Sequence, residues 1–230
     1  MTGWGRLSVR VLIACEESQA VCIEMRRLGH EAYSCALQPC SGGHPEWHLQ
    51  CDALEMLKLR WDMIIPHPPC TYLTDSGNAY FNEEKYGDKA RQRIQDRLLA
   101  MDFFMRFVKA DCQRIAIENP VGYMNSHYRK PDQIIQSYWF GHPYTKKTCL
   151  WLKGLPPLFA TELVQKPEGG WLNQQITKDG RYGGYGGKWG CRKDGKWLRY
   201  GDPEVKKERS KTFPGIARAM AEQWAGRCEQ

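Results

Sequence analysis

Short apolar runs alternate with longer segments of helical character along most of this 230-residue chain. The runs predict strands at residues 8–15, 31–37, 61–65, 113–118 and 148–152. Strands that alternate with helices favour an α/β fold built on a parallel, doubly wound sheet. Ligands bind such sheets beyond the carboxyl ends of the strands, so functional residues are expected just after each strand.

Three segments are predicted to be helical. Residues 17–28 are followed by Gly29, and glycine commonly caps the carboxyl end of a helix. Residues 89–109 carry apolar residues at helical spacing, Leu98 among them. The third helix is predicted within residues 213–224, where Pro214 favours the first turn.

The composition changes after Leu155, and it divides the chain into three parts. Residues 1–158 form the predicted α/β domain, and residues 210–230 form a helix that is expected to pack back on it. Residues 159–209 form a small irregular insertion, rich in Gly, Trp, Tyr, Lys and Arg and without clear periodicity.

The net charge of +7 is concentrated near the carboxyl end of the chain. Residues 165–230 contain 14 Lys and Arg against 8 Asp and Glu, whereas residues 1–164 are almost balanced at 19 against 18. This asymmetry favours a nucleic-acid surface, with a purely solubilising charge as the alternative. The candidate residues for contact with nucleic acid are Lys178, Arg181, Lys188, Arg192, Lys193 and Lys196.

Cysteine usage and hydropathy indicate the class of protein. The ten cysteines are scattered and form no CxxC pair, which favours reduced thiols in a cytoplasmic protein. No apolar run approaches the roughly 20 residues of a membrane span, and the apolar run near the N-terminus is too short for a secretory signal. We expect no membrane association, and a monomer or weak dimer.

One group of residues has the ligand types of a metal site. Cys40, His44, His48 and Cys51 carry side chains that zinc accepts. Their C-x3-H-x3-H-x2-C spacing is not a common zinc-finger pattern, so no metal is predicted. The zinc site remains an alternative to a simple loop at the edge of the sheet.

The segment PHPPCT, residues 66–71, follows a predicted strand and carries the strongest catalytic signal. Two prolines stiffen the turn and fix the side chain that follows them, which is Cys70. A cysteine held at a strand end is a candidate nucleophile if its thiolate is stabilised. The alternative is a buried structural cysteine on a tight loop.

A second polar tripeptide, Glu118-Asn119-Pro120, ends the strand predicted at residues 113–118. A carboxyl group at the end of a buried strand, beside a proline-fixed turn, is well placed to act as a general acid toward a substrate ring or to hydrogen-bond to it. The alternative is an ordinary polar cluster at a strand end.

The order of these motifs resembles that of the DNA cytosine carbon-5 methyltransferases, most closely the compact phage type. PPC is followed by ENP, by a GxPxxKxxxLWL segment at residues 141–152 and by the helix FPGIARAMAEQW. The resemblance covers most of residues 8–158 and 210–226. It implies a Rossmann-like methyltransferase sheet, DNA as partner, and a phage or prophage protein in the cytoplasm of a bacterial host. The insertion lies where the family places its target recognition region.

The resemblance implies roles for three catalytic residues. Cys70 matches the nucleophile that adds to carbon 6 of cytosine, and Glu118 matches the carboxyl group that engages ring nitrogen 3 and the exocyclic amine. Lys146 stands in place of the first arginine of the family's G-x-P-Q-x-R-x-R segment. Carbon 5 then takes the methyl group of S-adenosylmethionine, on a base that has left the duplex.

The resemblance also implies where the cofactor S-adenosylmethionine binds. The family's glycine-rich first turn is replaced here by a turn without glycine, and Ala36 stands where an acid for the cofactor ribose is usual. Asp52 matches the residue that holds the adenine amine. The candidate cofactor-binding residues are Cys15, Glu16, Glu17, Ser18, Asp52 and Pro68.

Two other functions remain open. The segment HPPC, residues 67–70, also resembles the (D/N/S)-P-P-(Y/F) turn of methyltransferases that act on the exocyclic amine of a base. The glycine-free turn and Ala36 favour instead a catalytically silent nucleic-acid-binding protein on a degenerate methyltransferase fold.

Overall fold

The computed structural model describes residues 7–143, 145–166 and 210–228. Within these ranges seven strands form one sheet. In chain order they are β1 Arg10–Ala14, β2 Glu31–Ala36, β3 His48–Gln50, β4 Met63–Ile64, β5 Ile115–Pro120, β6 Gln133–Ile135 and β7 Thr148–Lys153.

The same ranges contain six α-helices, most of them short. They are α1 Ala20–Arg27, α2 Ala53–Met56, α3 Glu83–Tyr86, α4 Asp88–Val108, α5 Met124–His127 and α6 Pro214–Met220. A π-helical turn, Ala221–Ala225, continues α6. Among the helices placed by the structure, none is both long enough and apolar enough to cross a bilayer.

The strand order is β3-β2-β1-β4-β5-β7-β6, which confirms an α/β fold with a mostly parallel sheet. The expectation of a purely parallel sheet is wrong, because β7 runs antiparallel to both β5 and β6. The described residues that join β6 to β7, 136–143 and 145–147, contain no crossover helix, and such a connection between neighbouring strands produces an antiparallel pair. Sequence analysis missed β3 and β6, which have only 3 residues each and show no alternation.

Helices cover both faces of the sheet, and β1 shows how the sequence divides between them. Val11 and Ile13 face the layer that contains α1 and α6, whereas Leu12 and Ala14 face the layer that contains α4. Successive strand residues point to opposite faces, so an unbroken apolar run is what a strand buried on both sides requires.

The C-terminal segment is bonded to residues around the start of the insertion. Trp224 Nε1 donates to the Pro156 carbonyl (2.9 Å), and Gln223 Nε2 donates to the Phe159 carbonyl (2.8 Å). Further along, Val164 N donates to the Tyr138 carbonyl at 3.0 Å. The chain on either side of residues 167–209 is therefore fixed to the same body.

The strand order reverses between β1 and β4. β1 pairs with β2 on one side and with β4 on the other, and all of these pairs are parallel. The connections that leave β1 and β4 diverge at this point, which opens a crevice at the carboxyl ends of the two strands. The residues that follow β1 and β4 are the turn 15–19 and the PHPPCT segment.

Candidate active site

Backbone hydrogen bonds to both neighbouring strands hold the start of the PHPPCT segment at the crevice. His67 N donates to the Ala14 carbonyl at the end of β1 (2.8 Å), and Glu118 N donates to the Pro66 carbonyl (3.0 Å). The backbone pairing of β4 thus continues through Pro66 and His67. The side chains that follow are consequently presented at the edge of the sheet, between β1 and β5.

Cys70 lies beyond these residues at the start of a tight turn. The Leu73 and Thr74 amides both donate to the Cys70 carbonyl, each at 3.0 Å. The Cys70 side chain is exposed, so the alternative of a buried structural cysteine is wrong. Backbone bonds fix the position of this thiol while leaving it open to a substrate.

Two arginines of α4 hold the chain just after Cys70. Arg93 Nη2 donates to the Thr71 carbonyl (3.0 Å), and Arg97 Nε donates to the Tyr72 carbonyl (2.9 Å). The helical stripe expected on α4 is wrong at Leu98, which is 45 % exposed. In this half of α4 the inward face carries arginines, which bond to backbone carbonyls and also lie over aromatic rings, as Arg97 does over Phe81 and Tyr123.

Glu118 lies at the end of β5 and bonds directly to the segment that carries Cys70. His67 Nδ1 donates to Glu118 Oε2 at 3.0 Å, and the two side chains are only 10 % and 13 % exposed. Burial alone raises the pKa of Glu118, but the hydrogen bond from His67 and the positive charge of Lys146 outweigh it, so the pKa lies below its usual range. Glu118 is an ionised carboxylate at neutral pH.

Asn119 forms the second bond between the two motifs. Its side chain is 2 % exposed, and Nδ2 donates to the Pro68 carbonyl at 2.7 Å. The sequence expectation gave Asn119 no role of its own, although a polar residue inside a buried strand requires a partner. The structure therefore brings the PPC and ENP motifs together, as their placement at strand ends indicated.

Replacing Asn119 with alanine should lower the free energy of unfolding by about 1–3 kcal/mol, because the buried Pro68 carbonyl loses its donor. Urea denaturation of the variant beside the wild type measures this loss. An unchanged unfolding midpoint would show that the Asn119–Pro68 bond does not contribute to holding the loop.

Lys146 lies near Glu118, close to the beginning of β7. Its charge contributes to the lowered pKa of Glu118. Lys146 Nζ donates to the Lys211 carbonyl (3.3 Å) and lies 5.8 Å from the centre of the Phe213 ring. The lysine implied by the resemblance thus lies near Glu118, and it also contacts the segment before α6.

Gly122 lets the segments after the two motifs pack together. It forms a bridge with Thr74, and the next amide, Tyr123 N, donates to the Leu73 carbonyl at 2.7 Å. A Cβ atom at Gly122 would lie 2.0 Å from that carbonyl oxygen. Only glycine fits here, because real Cβ atoms do not approach backbone oxygens so closely.

The turn after β1 has an unusual backbone for its sequence. Cys15 has a φ of 62°, a left-handed conformation that favours glycine. The Glu16 carboxylate accepts hydrogen bonds from Val21 N (2.8 Å) and Cys22 N (3.3 Å) in the first turn of α1. Helix α1 therefore begins at Ala20, three residues later than expected.

Burial raises the pKa of two side chains in this turn, the Glu16 carboxyl and the Cys15 thiol. Burial raises the pKa of Glu16, and the opposing effects of His67 and of the two backbone amides do not cancel this increase. Burial and the charge of Asp52 raise the pKa of the Cys15 thiol to about 12. Cys15 is consequently a neutral thiol at physiological pH.

A loop lies over the same turn and is fixed by Gln19, which sequence analysis missed. Gln19 Nε2 donates to the His44 carbonyl (2.8 Å), and Gln19 Oε1 accepts from His44 N (3.1 Å). Gly42 allows the contact, since a Cβ there would lie 2.6 Å from the Gln19 Cβ. No local sequence pattern marks a bond between residues so far apart in the chain.

The remaining candidate cofactor residues lie on either side of the turn. Asp52 follows β3 and is exposed, and its Oδ1 accepts from Leu54 N (2.9 Å) as the N-cap of α2. Glu17 and Ser18 are half-buried in the turn itself. Pro68 lies across the crevice in the PHPPCT segment, where its carbonyl is bonded to Asn119.

The structure gives the possible zinc ligands other partners. Both ring nitrogens of His48 are bonded, Nδ1 to the Ser34 hydroxyl (2.8 Å) and Nε2 to the Gln38 carbonyl (2.9 Å). The Cys51 thiol lies 3.7 Å from that of Cys35. Across the ranges the structure places, no three His, Cys, Asp or Glu side chains are grouped as a metal site.

The candidate nucleic-acid contacts all lie outside the described residues, which omit 167–209. They are Lys178, Arg181, Lys188, Arg192, Lys193 and Lys196. Their role stays a prediction from composition and from the family resemblance.

No known family model matches the chain, and no curated protein sequence shows significant similarity to it.

Proposed function

We propose that this protein is a DNA cytosine-5 methyltransferase of the compact phage type, with the Rossmann-like sheet of S-adenosylmethionine-dependent methyltransferases. The observation that carries the proposal is the joining of two sequence motifs at one edge of the sheet. His67 bonds to Glu118 (3.0 Å) and Asn119 bonds to Pro68 (2.7 Å), beside the exposed Cys70. A nucleophile and a carboxylate on rigid strand ends are what the reaction requires.

Cys70 acts as the nucleophile in this mechanism. Its thiolate forms a bond to carbon 6 of an extruded cytosine, and the electrons of the double bond between carbons 5 and 6 move toward nitrogen 3, which takes up a proton. The product is an enamine that is nucleophilic at carbon 5. After carbon 5 is methylated, a base removes its proton, the thiolate of Cys70 leaves carbon 6 as the ring double bond forms again, and nitrogen 3 gives up its proton. The bonds that hold Thr71 and Tyr72 to α4 restrict the movement of the loop, so the thiol is positioned before the substrate arrives.

Glu118 orients the base and stabilises the charge that develops on it. As an ionised carboxylate, it accepts a hydrogen bond from the exocyclic amine of cytosine. Lys146 keeps a positive charge beside this carboxylate, which limits the cost of burying it. A lysine supplies the charge here without the bidentate geometry of arginine.

The residues after β1 and β3 suit S-adenosylmethionine. Cys15 gives the first turn the left-handed backbone that a glycine would provide. Glu17, Ser18 and Asp52 supply acceptors for the ammonium, hydroxyl and adenine amine groups. Glu16 instead caps α1, and Ala36 offers no acid at the end of β2. The cofactor would supply an electrophilic methyl group on its sulfonium, and Pro68 would border it from across the crevice.

DNA is the proposed partner, in the cytoplasm of a bacterial host. The charge excess of residues 165–230 supports this, since lysine and arginine bind phosphates and release counterions. Lys178, Arg181, Lys188, Arg192, Lys193 and Lys196 would contact the backbone, with neighbouring aromatic residues available for stacking.

Methyl transfer from labelled S-adenosylmethionine to DNA tests the proposal. We expect label in the DNA, and mass spectrometry of the digested product should place the methyl group on carbon 5 of cytosine. Transfer should weaken steeply as the salt concentration rises, because phosphate contacts are lost.

The other outcomes separate the alternative functions. A methyl group on the exocyclic amine would identify a base amino-methyltransferase. An absence of transfer, together with no binding of the cofactor in calorimetry up to millimolar concentration, would identify a catalytically silent nucleic-acid-binding protein.

A further inference from the structure

Two free thiols lie side by side at the carboxyl ends of β2 and β3. The Cys35 and Cys51 sulfur atoms are 3.7 Å apart, and the Cys35 thiol also donates to the Cys51 carbonyl at 3.5 Å. We propose that this pair is a modification site, in which hydrogen peroxide joins Cys35 to Cys51 by a disulfide that displaces Asp52 and weakens cofactor binding. The effect on the cofactor rests on the proposed function, whereas the disulfide itself does not.

The pairing of β2 with β3 explains why the two thiols meet. Cys35 pairs with Leu49 in the parallel ladder, and Cys51 is the first residue after β3. Cys51 N donates to the Leu49 carbonyl (3.0 Å), so the chain turns as soon as the strand ends. This turn keeps the Cys51 sulfur close to that of Cys35.

The two cysteines differ in how freely they can move. Cys35 is fully buried in β2, which pairs with β1 on one side and with β3 on the other. Cys51 is half-buried and follows an edge strand of 3 residues. The sulfur atoms of a disulfide are about 2 Å apart. Closing the bond therefore draws Cys51 toward Cys35, because a short edge element yields more easily than the interior of the sheet.

Asp52 couples this movement to the proposed cofactor site. It directly follows Cys51, and its Oδ1 accepts from Leu54 N (2.9 Å) as the N-cap of α2, a helix of only 4 residues. So short a helix does little to hold its first residues in place when the residue before them moves. The Asp52 carboxylate, the proposed partner of the adenine amine, should consequently leave its position when the disulfide forms.

The difference in burial sets the order of the two thiols in the reaction. Burial raises the pKa of the Cys35 thiol to about 12, and peroxide reacts with thiolates, so the more exposed Cys51 is oxidised first. Cys35 reacts second. Its attack is intramolecular, over a distance of 3.7 Å, and this proximity compensates for its small thiolate fraction.

The reaction consumes one molecule of hydrogen peroxide. The Cys51 thiol becomes a sulfenic acid, and the peroxide leaves as water. The Cys35 sulfur then forms a bond to the Cys51 sulfur, the bond from sulfur to oxygen breaks, and the hydroxyl group departs with the Cys35 proton as a second water. The two thiols have lost two electrons and two protons, which the peroxide has taken up.

Mass spectrometry of the protein treated with hydrogen peroxide tests for the disulfide. Cleavage at glutamate separates Cys35 from Cys51, because Glu46 lies between them. We expect the two fragments to stay joined through these cysteines and to separate after reduction with dithiothreitol. The link should be absent from Cys35→Ala and from Cys51→Ala. It should persist in the control Cys40→Ala, whose missing thiol belongs to the same fragment as Cys35.

Calorimetry with S-adenosylmethionine measures the consequence for the cofactor. Oxidation should weaken binding to the wild type by about 10- to 100-fold, the range for losing one hydrogen bond to a charged group. Reduction should restore the affinity. Oxidised Cys51→Ala should bind as tightly as its own reduced form, which excludes an effect of oxidation at other cysteines such as Cys70.

Three results would decide against the inference or its basis. A peroxide-treated wild type without the bond, or with Cys35 joined to a cysteine other than Cys51, would overturn it. So would a protein that carries the bond and binds S-adenosylmethionine as tightly as the reduced protein does. If the reduced protein does not bind the cofactor, the proposed function fails and the effect on affinity fails with it, while the mass spectrum still decides whether the two thiols form a disulfide.

Discussion

Replacing Cys70 with alanine should abolish methyl transfer, with a loss on the order of 10⁴-fold or more, as is usual when a covalent nucleophile is removed. Carbon 5 of cytosine is a poor nucleophile until carbon 6 is attacked, so no other group of the site can compensate. Steady-state transfer of labelled methyl groups to DNA measures the loss. Thermal unfolding should change little, because the Cys70 side chain is exposed.

Trapping on DNA that contains 5-fluorocytosine tests the same step directly. Fluorine at carbon 5 cannot be removed as a proton, so the adduct with Cys70 should persist and migrate as a protein–DNA complex in denaturing gels. Cys70→Ala should form no such complex. The control is Cys228→Ser, whose thiol contacts His30 at the opposite end of the sheet (3.0 Å). Trapping that persists in Cys70→Ala would identify another nucleophile and contradict the mechanism.

Replacing Gly122 with alanine should damage both the fold and the site. The new Cβ would lie 2.0 Å from the Leu73 carbonyl oxygen, so the segments after the two motifs must separate. We expect the free energy of unfolding to fall by about 3 kcal/mol and the melting temperature by about 6–12 °C. Transfer should also slow by about 100-fold, because the thiol and the carboxylate move apart.

Gly87→Ala is the matched control for this change. Gly87 has a φ of 52° and no atom within 4 Å of the Cβ position, so alanine there suffers backbone strain alone. Strain of this kind costs about 1–3 kcal/mol and should leave transfer unaffected. If Gly122→Ala behaves like Gly87→Ala in both measurements, the close contact between the two segments does not organise the site.

The main strands and the position of the site could be predicted from the sequence. An apolar run buried on both sides, such as β1, is a strong local signal, and the edge of a parallel sheet is where its ligands bind. PPC and ENP stand at two such strand ends. Their meeting follows from topology, because β4 and β5 are neighbours in the sheet.

The bonds that fix the site could not be predicted. Asn119 reaches the Pro68 carbonyl across 51 residues, and Arg97 reaches the Tyr72 carbonyl across 25. These bonds run from side chain to backbone, and a carbonyl has no signature in the sequence. The reversal of β7 was missed for a related reason, since strand direction depends on the path of the connecting chain rather than on composition.

The fixed ends of the insertion affect how this protein can vary. The segments before and after residues 167–209 are bonded to the same body. The stretch between them is therefore anchored at both ends, and its length can change at little cost in free energy. Doubling such a loop costs only about 0.6 kcal/mol of closure entropy. Segments of different length and composition can therefore be exchanged at this position while the sheet edge that carries Cys70 and Glu118 is kept.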